Sequence, residues 1–390
     1  MNDLYREAQE LFEYSQQLRR DFHRHPELGF REMWTAGVVA RELGQLGLEV
    51  STKVAKTGIV ALLEGNHPGP VVLLRFDMDA LPIQEENSED YASQVPGVMH
   101  ACGHDGHMAI GITVARMLKN HHMEFNGTVK FVFQPAEESL GGSVKMIAEG
   151  VLENPKPDYA LALHLWNECQ VGTAALVPGP FLAGATSFKI TISGRGGHGA
   201  LPQQTADPVL AGAHLVTAIQ SIVSRNISPL DAAVISVTQF HAGDAFNVIP
   251  QYAELKGTLR FFKDEIRSRL IERISQLSKG ISVAMGCKAE VEFSELTPAV
   301  KNNVDVTRRL APIFIETIPD IVIDSVFHTM VSEDMAYFLE EIPGCYFMVG
   351  SANPGRGIVY GHHHPKFDFD EAAIPRAVSL MAASALELLS

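Results

Sequence analysis

Histidine, cysteine and carboxylate side chains are grouped in this 390-residue chain in the way a metal site requires. Cys102-Gly103-His104-Asp105-Gly106-His107 places a thiol and two imidazoles in one short run, and His362-His363-His364-Pro365 adds three imidazoles near the C-terminus. Between them lie Glu137 and Glu138 in Gln134-Pro135-Ala136-Glu137-Glu138, the acids of Asp77-Met78-Asp79-Ala80-Leu81-Pro82 before the first run, and His164. Imidazole and thiolate suit zinc and its neighbours, while carboxylates suit harder ions such as manganese. More than four candidate ligands implies two divalent ions. At a spacing of roughly 3.5 to 4 Å such a pair needs a bridging ligand and leaves a bridging water that loses its proton readily. A nearby carboxylate would then act as general base. Any one of these residues alone would read as an ordinary polar group, so the argument rests on their common placement.

That placement follows from the elements that carry them. Apolar runs at 71–76, 129–133 and 159–163 read as strands, and each delivers acids or a histidine at its carboxyl end: Asp77 and Asp79, then Glu137 and Glu138, then His164. Cys102 and His104 sit just before a helix expected near 105–119. In an open α/β sheet the carboxyl ends of the strands are where ligands bind. Helix-spaced apolar residues predict two opening helices, over 4–22 and 31–47, separated by His25-Pro26, and a further helix near 142–149. The alternation predicts an α/β fold, a mostly parallel mixed sheet flanked by helices. The texture changes near 185: strands at 187–193, 233–240 and 252–262, a helix over 208–224, and a helix from Asp264 with apolar residues at Ile266, Leu270, Ile274, Leu277 and Ile281. This predicts a discontinuous catalytic domain at 1–184 and 297–390 around an inserted, smaller α+β lid domain at 185–296.

Composition narrows the partners. Acids outnumber bases 46 to 31, for a formal charge of -15, which argues against a surface built for nucleic acid or anionic lipid. With 46% hydrophobic and 20% charged residues the chain is not a disordered or fibrous sequence. Four cysteines form no CxxC pair and read as reduced thiols. The N-terminal residues are charged throughout, unlike a secretory signal, so a cytoplasmic location is expected. The longest uncharged stretch, 169–188, is interrupted by Gly172, Pro178, Gly179, Pro180 and Gly184 and does not read as a membrane span. Gly194-Arg195-Gly196-Gly197-His198-Gly199 fits GxGxxG, but it does not open into a helix and no acid follows at the spacing a dinucleotide fold needs.

Taken in order, DFHRHPELGFRE (21–32), RFDMDALP (75–82), MHACGHDGHMA (99–109), FQPAEE (133–138), GRGGHGALP (194–202), NVIP (247–250), GTLR (257–260) and HHPKFDFDE (363–371) resemble the metal-dependent N-acyl-amino-acid amidohydrolases. That group includes auxin-conjugate amidohydrolases and hippurate hydrolases, within the aminoacylase and carboxypeptidase clan. The resemblance spans essentially the whole chain. It implies two divalent ions per subunit (zinc, manganese, nickel or cobalt) held by Cys102, His104, Glu138, His164 and His363, with Cys102 bridging. It further implies Glu137 as general base, Asp79 as a carboxylate behind a ligating imidazole, and His198 as an oxyanion donor reaching its own or a neighbouring subunit's site. Asn247 and Arg260 would hold the substrate's carboxylate or carbonyl. The implied reaction is hydrolysis of a small-molecule N-acyl amino acid (acetyl, benzoyl or aryl-acetyl) to a carboxylic acid and a free amino acid, in a homodimer or homotetramer built through the lid. A dipeptidase, a carboxypeptidase or an N-acetyl-diaminopimelate-type deacetylase would use the same residues. A metal-binding scaffold without catalysis is the alternative outside enzymes.

Overall fold

A computed structural model describes residues 2–138 and 141–390. The chain divides into two compact units: residues 1–179, 301–327 and 334–390, and residues 180–300 with 328–333.

The first unit is built on an eight-stranded sheet. Its four central strands, in the order Thr128–Gln134, Val71–Asp77, Tyr159–Gln170 and Gly344–Ala352, are all parallel. Strands of this kind are buried on both faces and read as continuous apolar runs, which is why they are visible in the sequence. The hairpin Glu49–Val54 and Gly58–Glu64 extends one side antiparallel. On the other side lie the short strands Thr173–Ala175, antiparallel to Gly344–Ala352, and Val322–Asp324. Val72, Leu74, Phe76, Phe131, Phe133, Leu161, Leu163, Phe347 and Val349 form a core with Ile110 and Val114 of the helix His104–Asn120 and with the helix Ala373–Leu389. The opening helical region is two helices, Asn2–Glu10 and Phe12–Arg24, with the break at Leu11. No glycine or proline marks that break.

The second unit is a four-stranded antiparallel sheet in the order Ala233–Ala242, Tyr252–Phe261, Gly184–Ser193 and Lys288–Thr297. Buried Phe188, Ile190, Ile192 and Leu255 pack with Leu215 and Ile219 of the helix Pro208–Asn226 and Leu270 and Ile274 of the helix Asp264–Ala284. Asp207 caps the first of these helices, accepting from the main-chain N–H of Val209 (2.8 Å) and Leu210 (3.2 Å) ahead of Pro208. Among the described residues no helix is long and apolar enough to cross a membrane.

Candidate metal centre

The expected residues of the first unit come together beyond the ends of Val71–Asp77 and Thr128–Gln134 and at the start of the helix His104–Asn120; His164, expected at a strand end, lies instead within the longer strand Tyr159–Gln170. The donor atoms of Cys102, His104 and His164 lie within 4.8 Å of one another, and so do those of Cys102, Glu138 and His363. Cys102 belongs to both sets, which is what a ligand shared by two ions requires. His104, Glu137 and Glu138 form a third such group.

Local geometry decides which nitrogen each imidazole presents. His104 is the first residue of its helix, after Gly103 at φ +87°, a left-handed turn that glycine adopts without strain. Its Nδ1 donates to the main-chain carbonyl of Asp79 at 2.8 Å, which leaves Nε2 for the cluster. His164 Nδ1 donates to the Leu165 carbonyl at 2.6 Å, and its Nε2 lies 3.5 Å from the Cys102 Sγ. Such outer contacts fix tautomer and aim in metal sites. His363 adopts φ +65°, a conformation rare for a side chain of its size, and places Nε2 3.2 Å from Glu138 Oε1. Its neighbours are engaged elsewhere. His362 stacks on Trp166 at 4.4 Å and accepts the Asn167 N–H, while His364 stacks on Tyr360.

The glutamate pair sits on a strained loop. Ala136 has φ +56°, and its N–H donates to the buried Glu32 at 3.0 Å. The N–H groups of Glu137 and Glu138 both donate to the Asp79 carboxylate, each at 3.0 Å. Asp79 thus meets the site in three ways: its main-chain oxygen accepts from His104 Nδ1, its Oδ1 lies 3.4 Å from that same nitrogen, and its carboxylate also holds the two glutamates. The Gly142 N–H donates to the Ala136 carbonyl at 3.1 Å, and a Cβ at Gly142 would collide with the Pro135 main-chain oxygen.

Electrostatics favours cations here. Glu138 Oε1 is buried and accepts no hydrogen bond, an unusual state for a carboxylate oxygen. Burial, with Glu138, Glu137 and Asp77 alongside, pushes the Cys102 thiol well up when no cation is present. Against the effect of its burial, Asp77, Asp79 and Glu138 push His104 up to about 10. Burial, together with His107 and His362, holds His164 well down, so its ring is neutral. A cluster that draws a proton this strongly onto one imidazole, beside a thiol and a carboxylate oxygen that accepts no hydrogen bond, fits divalent metal on the chemistry of its donors.

The remaining expected residues belong to the second unit. His198 is on a two-residue strand, Gly197–His198, paired with Val248–Ile249, and Asn247 O accepts the Gly199 N–H at 2.8 Å. The glycine-rich segment thus makes a ribbon and a short turn at Pro202–Gln204, with the helix starting only at Pro208. His198 is exposed, and its Nδ1 accepts the Ala200 N–H at 3.0 Å, so Nε2 carries the donor proton. Arg260 is half-buried and donates to the Leu259 carbonyl at 3.0 Å and to Thr258.

Four residues at the first unit's site were given no role by the sequence reasoning. His107, buried, donates from Nδ1 to Asp77 at 2.6 Å and accepts the Leu165 N–H on Nε2 at 3.0 Å, so neither nitrogen is available to an ion. Glu32 holds the Ala136 loop, and Arg75 and Asp334 form a buried pair at 2.9 Å. His107 stands in the 102–107 run and Glu32 ends the 21–32 segment, Arg75 shows as a charge in the middle of an apolar strand, and Asp334 carries no sequence signal.

Known proteins resemble the chain over nearly its whole length. The sequence profile of peptidase family M20/M25/M40 matches residues 73–387. The N-acetylcysteine deacetylase of Bacillus subtilis (strain 168) is 37% identical, with 95% of this chain and 96% of that protein covered. IAA-amino acid hydrolase ILR1-like 5 of Arabidopsis thaliana is 38% identical over 98% of this chain and 88% of its own length. The crystal structure of the Bacillus subtilis YXEP protein, a dinuclear metal binding peptidase from the M20 family, matches with a TM-score of 0.87 at 32% identity, over 98% of this chain and 99% of that one.

Proposed function

The chain belongs to peptidase family M20/M25/M40 and is a metal-dependent amidohydrolase; we propose that it cleaves N-acyl amino acids to a carboxylic acid and a free amino acid. The observation that carries this reading is the buried Cys102 thiol shared by two sets of ligand atoms, with Glu137 beside them. In this reading Cys102, His104, Glu138, His164 and His363 hold two divalent cations, with zinc, manganese, nickel and cobalt as the candidate metals. When bound, the cations would make the water between them more acidic and polarise the scissile carbonyl.

The chain's own groups do the rest. Glu137, with its N–H tied to Asp79, takes a proton from the attacking water as the new C–O bond forms. It then returns that proton to the amide nitrogen as the C–N bond breaks. His198 offers Nε2–H to the oxyanion, in its own or a neighbouring subunit. Arg260 and Asn247 hold the substrate's carboxylate or carbonyl. The names of the relatives, a deacetylase and an amino acid conjugate hydrolase, support a small N-acyl amino acid as substrate. Exposed Phe240, Phe246, Val248 and Tyr252 support a homodimer or homotetramer formed through the second unit.

Release of free amino acid is measured from a panel of N-acetyl, benzoyl and aryl-acetyl amino acids and dipeptides, with metal analysis of the same sample. Glu137→Gln is expected to retain its metal and lose turnover by about 10²- to 10⁴-fold. Wild-type turnover in that variant would exclude Glu137 as the base, and cleavage of dipeptides alone would replace the proposed substrate.

A further inference from the structure

Glu137 follows the strand Thr128–Gln134 and His164 lies within the strand Tyr159–Gln170, yet one guanidinium connects them. Arg75 lies in the strand Val71–Asp77, alternating with the core residues Val72, Leu74 and Phe76, and is 1% exposed. A charge buried this deeply is costly unless it is paired and hydrogen-bonded. Nη1 donates to Asp77 Oδ2 at 2.6 Å, Nη2 to Asp334 Oδ1 at 2.9 Å, and Nε to Gln134 Oε1 at 2.8 Å.

From these contacts two arms lead outward. The Asp334 carboxylate also accepts Gln134 Nε2 at 2.8 Å and the Ser143 N–H at 3.1 Å, and the Asp334 N–H donates to Glu137 Oε1 at 3.4 Å. On the other arm Asp77 Oδ1 accepts from His107 Nδ1 at 2.6 Å. His107 Nε2 is filled by the Leu165 N–H, and the Leu165 carbonyl takes the proton of His164 Nδ1. A continuous buried path therefore runs from Glu137 to His164 with Arg75 at its centre.

We propose that Arg75 is the positioning residue of this site, setting the Glu137 carboxylate through Asp334 and the aim of His164 through Asp77 and His107. The proposal rests on the roles given above to Glu137 and His164. If it holds, the two arms act on different measurable quantities, because one orients a group that moves a proton and the other a group that binds an ion.

The test compares purified variants with the wild type for cobalt(II) affinity and absorption spectrum, kcat, KM and Tm. Asp334→Asn is expected to lower kcat about 10- to 100-fold, the usual effect of removing such support, with KM and cobalt(II) affinity unchanged. His107→Phe is expected to weaken cobalt(II) binding about 10- to 100-fold and shift its spectrum, with kcat at saturating metal within a few-fold of wild type. Arg75→Lys should show both effects. If Arg75→Lys does not fold, the two arm variants decide: effects on the same quantity, or on Tm alone, overturn the proposal. Glu137→Gln separates this proposal from the reading beneath it. Wild-type turnover there overturns the base assignment and with it the Asp334 arm. An inactive Glu137→Gln beside an Arg75→Lys with normal kcat and metal binding overturns the positioning role alone.

Discussion

Replacing Glu32 should disable a site whose candidate metal ligands all lie 70 or more positions away in sequence. Glu32 is fully buried, with Oε1 accepting the Ala136 N–H at 3.0 Å and Oε2 the Thr57 hydroxyl at 2.6 Å. Glu32→Ala leaves two buried donors without acceptors, at about 1 to 3 kcal/mol each. It also frees Ala136 to leave φ +56°, a conformation that costs on the order of 1 to 3 kcal/mol to maintain. As Ala136 relaxes, Glu137 and Glu138 move with it, and a displacement of about 1 Å at a reacting group can cost about 10²-fold. Glu32→Gln should behave differently. Its amide oxygen can still accept the Ala136 N–H, and the Thr57 hydroxyl can rotate to accept from the new NH₂ group. The assay is urea unfolding, metal content and kcat for both variants. Glu32→Ala is expected to lose on the order of 2 kcal/mol of stability, the two lost acceptors less the strain released at Ala136, about 10²-fold in kcat and part of its metal, while Glu32→Gln stays near wild type. A destabilised Glu32→Ala with normal kcat and metal content would refute the reasoning and show that Asp79 alone holds the loop.

Two further outcomes follow from the same geometry. Cys102→Ala should lower bound metal below two ions per chain, and Cys102→Asp should restore it, because a carboxylate can also bridge; elemental analysis of both variants decides this. The buried Arg19–Asp105–His23 cluster predicts a pH dependence of stability. Although burial opposes it, Asp105 raises His23 from 6.5 to about 9, so its contribution is complete below pH 6.5 and is lost as pH rises through about 9. At about 1.4 kcal/mol per unit that is on the order of 3 kcal/mol. Asp105 has its carboxyl held well down by Arg19 and His23 despite burial, so its contribution is present above the ordinary carboxylate range and is lost towards acid. Unfolding measured from pH 5 to 9.5 should show the alkaline loss in wild type and not in His23→Gln; equal slopes would contradict it.

The parts of the fold legible in the sequence are those where residue type and environment coincide. The runs at 71–76, 129–133 and 159–163 lie in the strands Val71–Asp77, Thr128–Gln134 and Tyr159–Gln170 because parallel strands buried on both faces are apolar at nearly every position, with Arg75 and Lys130 as the buried exceptions. The strand Lys288–Thr297 gave a weaker signal. It lies at an edge of the second sheet with every residue at least partly exposed, and only Ala289, Val291 and Phe293 alternate with charged residues there, a short run without a buried face to strengthen it. The break at Leu11 is invisible for another reason: the N–H and C=O of Leu11 still bond Glu7 and Ser15 at 3.0 Å, so no breaker residue is needed there.

At the site the limit is of a different kind. His104 and His107 lie three apart on one helix, next to the same Asp77, and nothing in their types separates a residue with a nitrogen to spare from one without. What separates them is the main chain each meets. The Asp79 carbonyl takes the proton of His104 Nδ1 and leaves Nε2 facing the cluster, whereas the Leu165 N–H fills the lone pair of His107 Nε2. The same Leu165 peptide group presents its carbonyl to His164 and so frees that ring's Nε2. One residue of the Tyr159–Gln170 strand thus keeps His107 out of the ligand set and leaves His164 available to it. Because a one-residue shift in this strand would exchange the groups presented to these rings, its parallel pairing with Val71–Asp77 and Gly344–Ala352 is a condition of the chemistry as well as of the fold. The glycine, alanine and leucine residues between the polar groups therefore matter to the site through the register they allow.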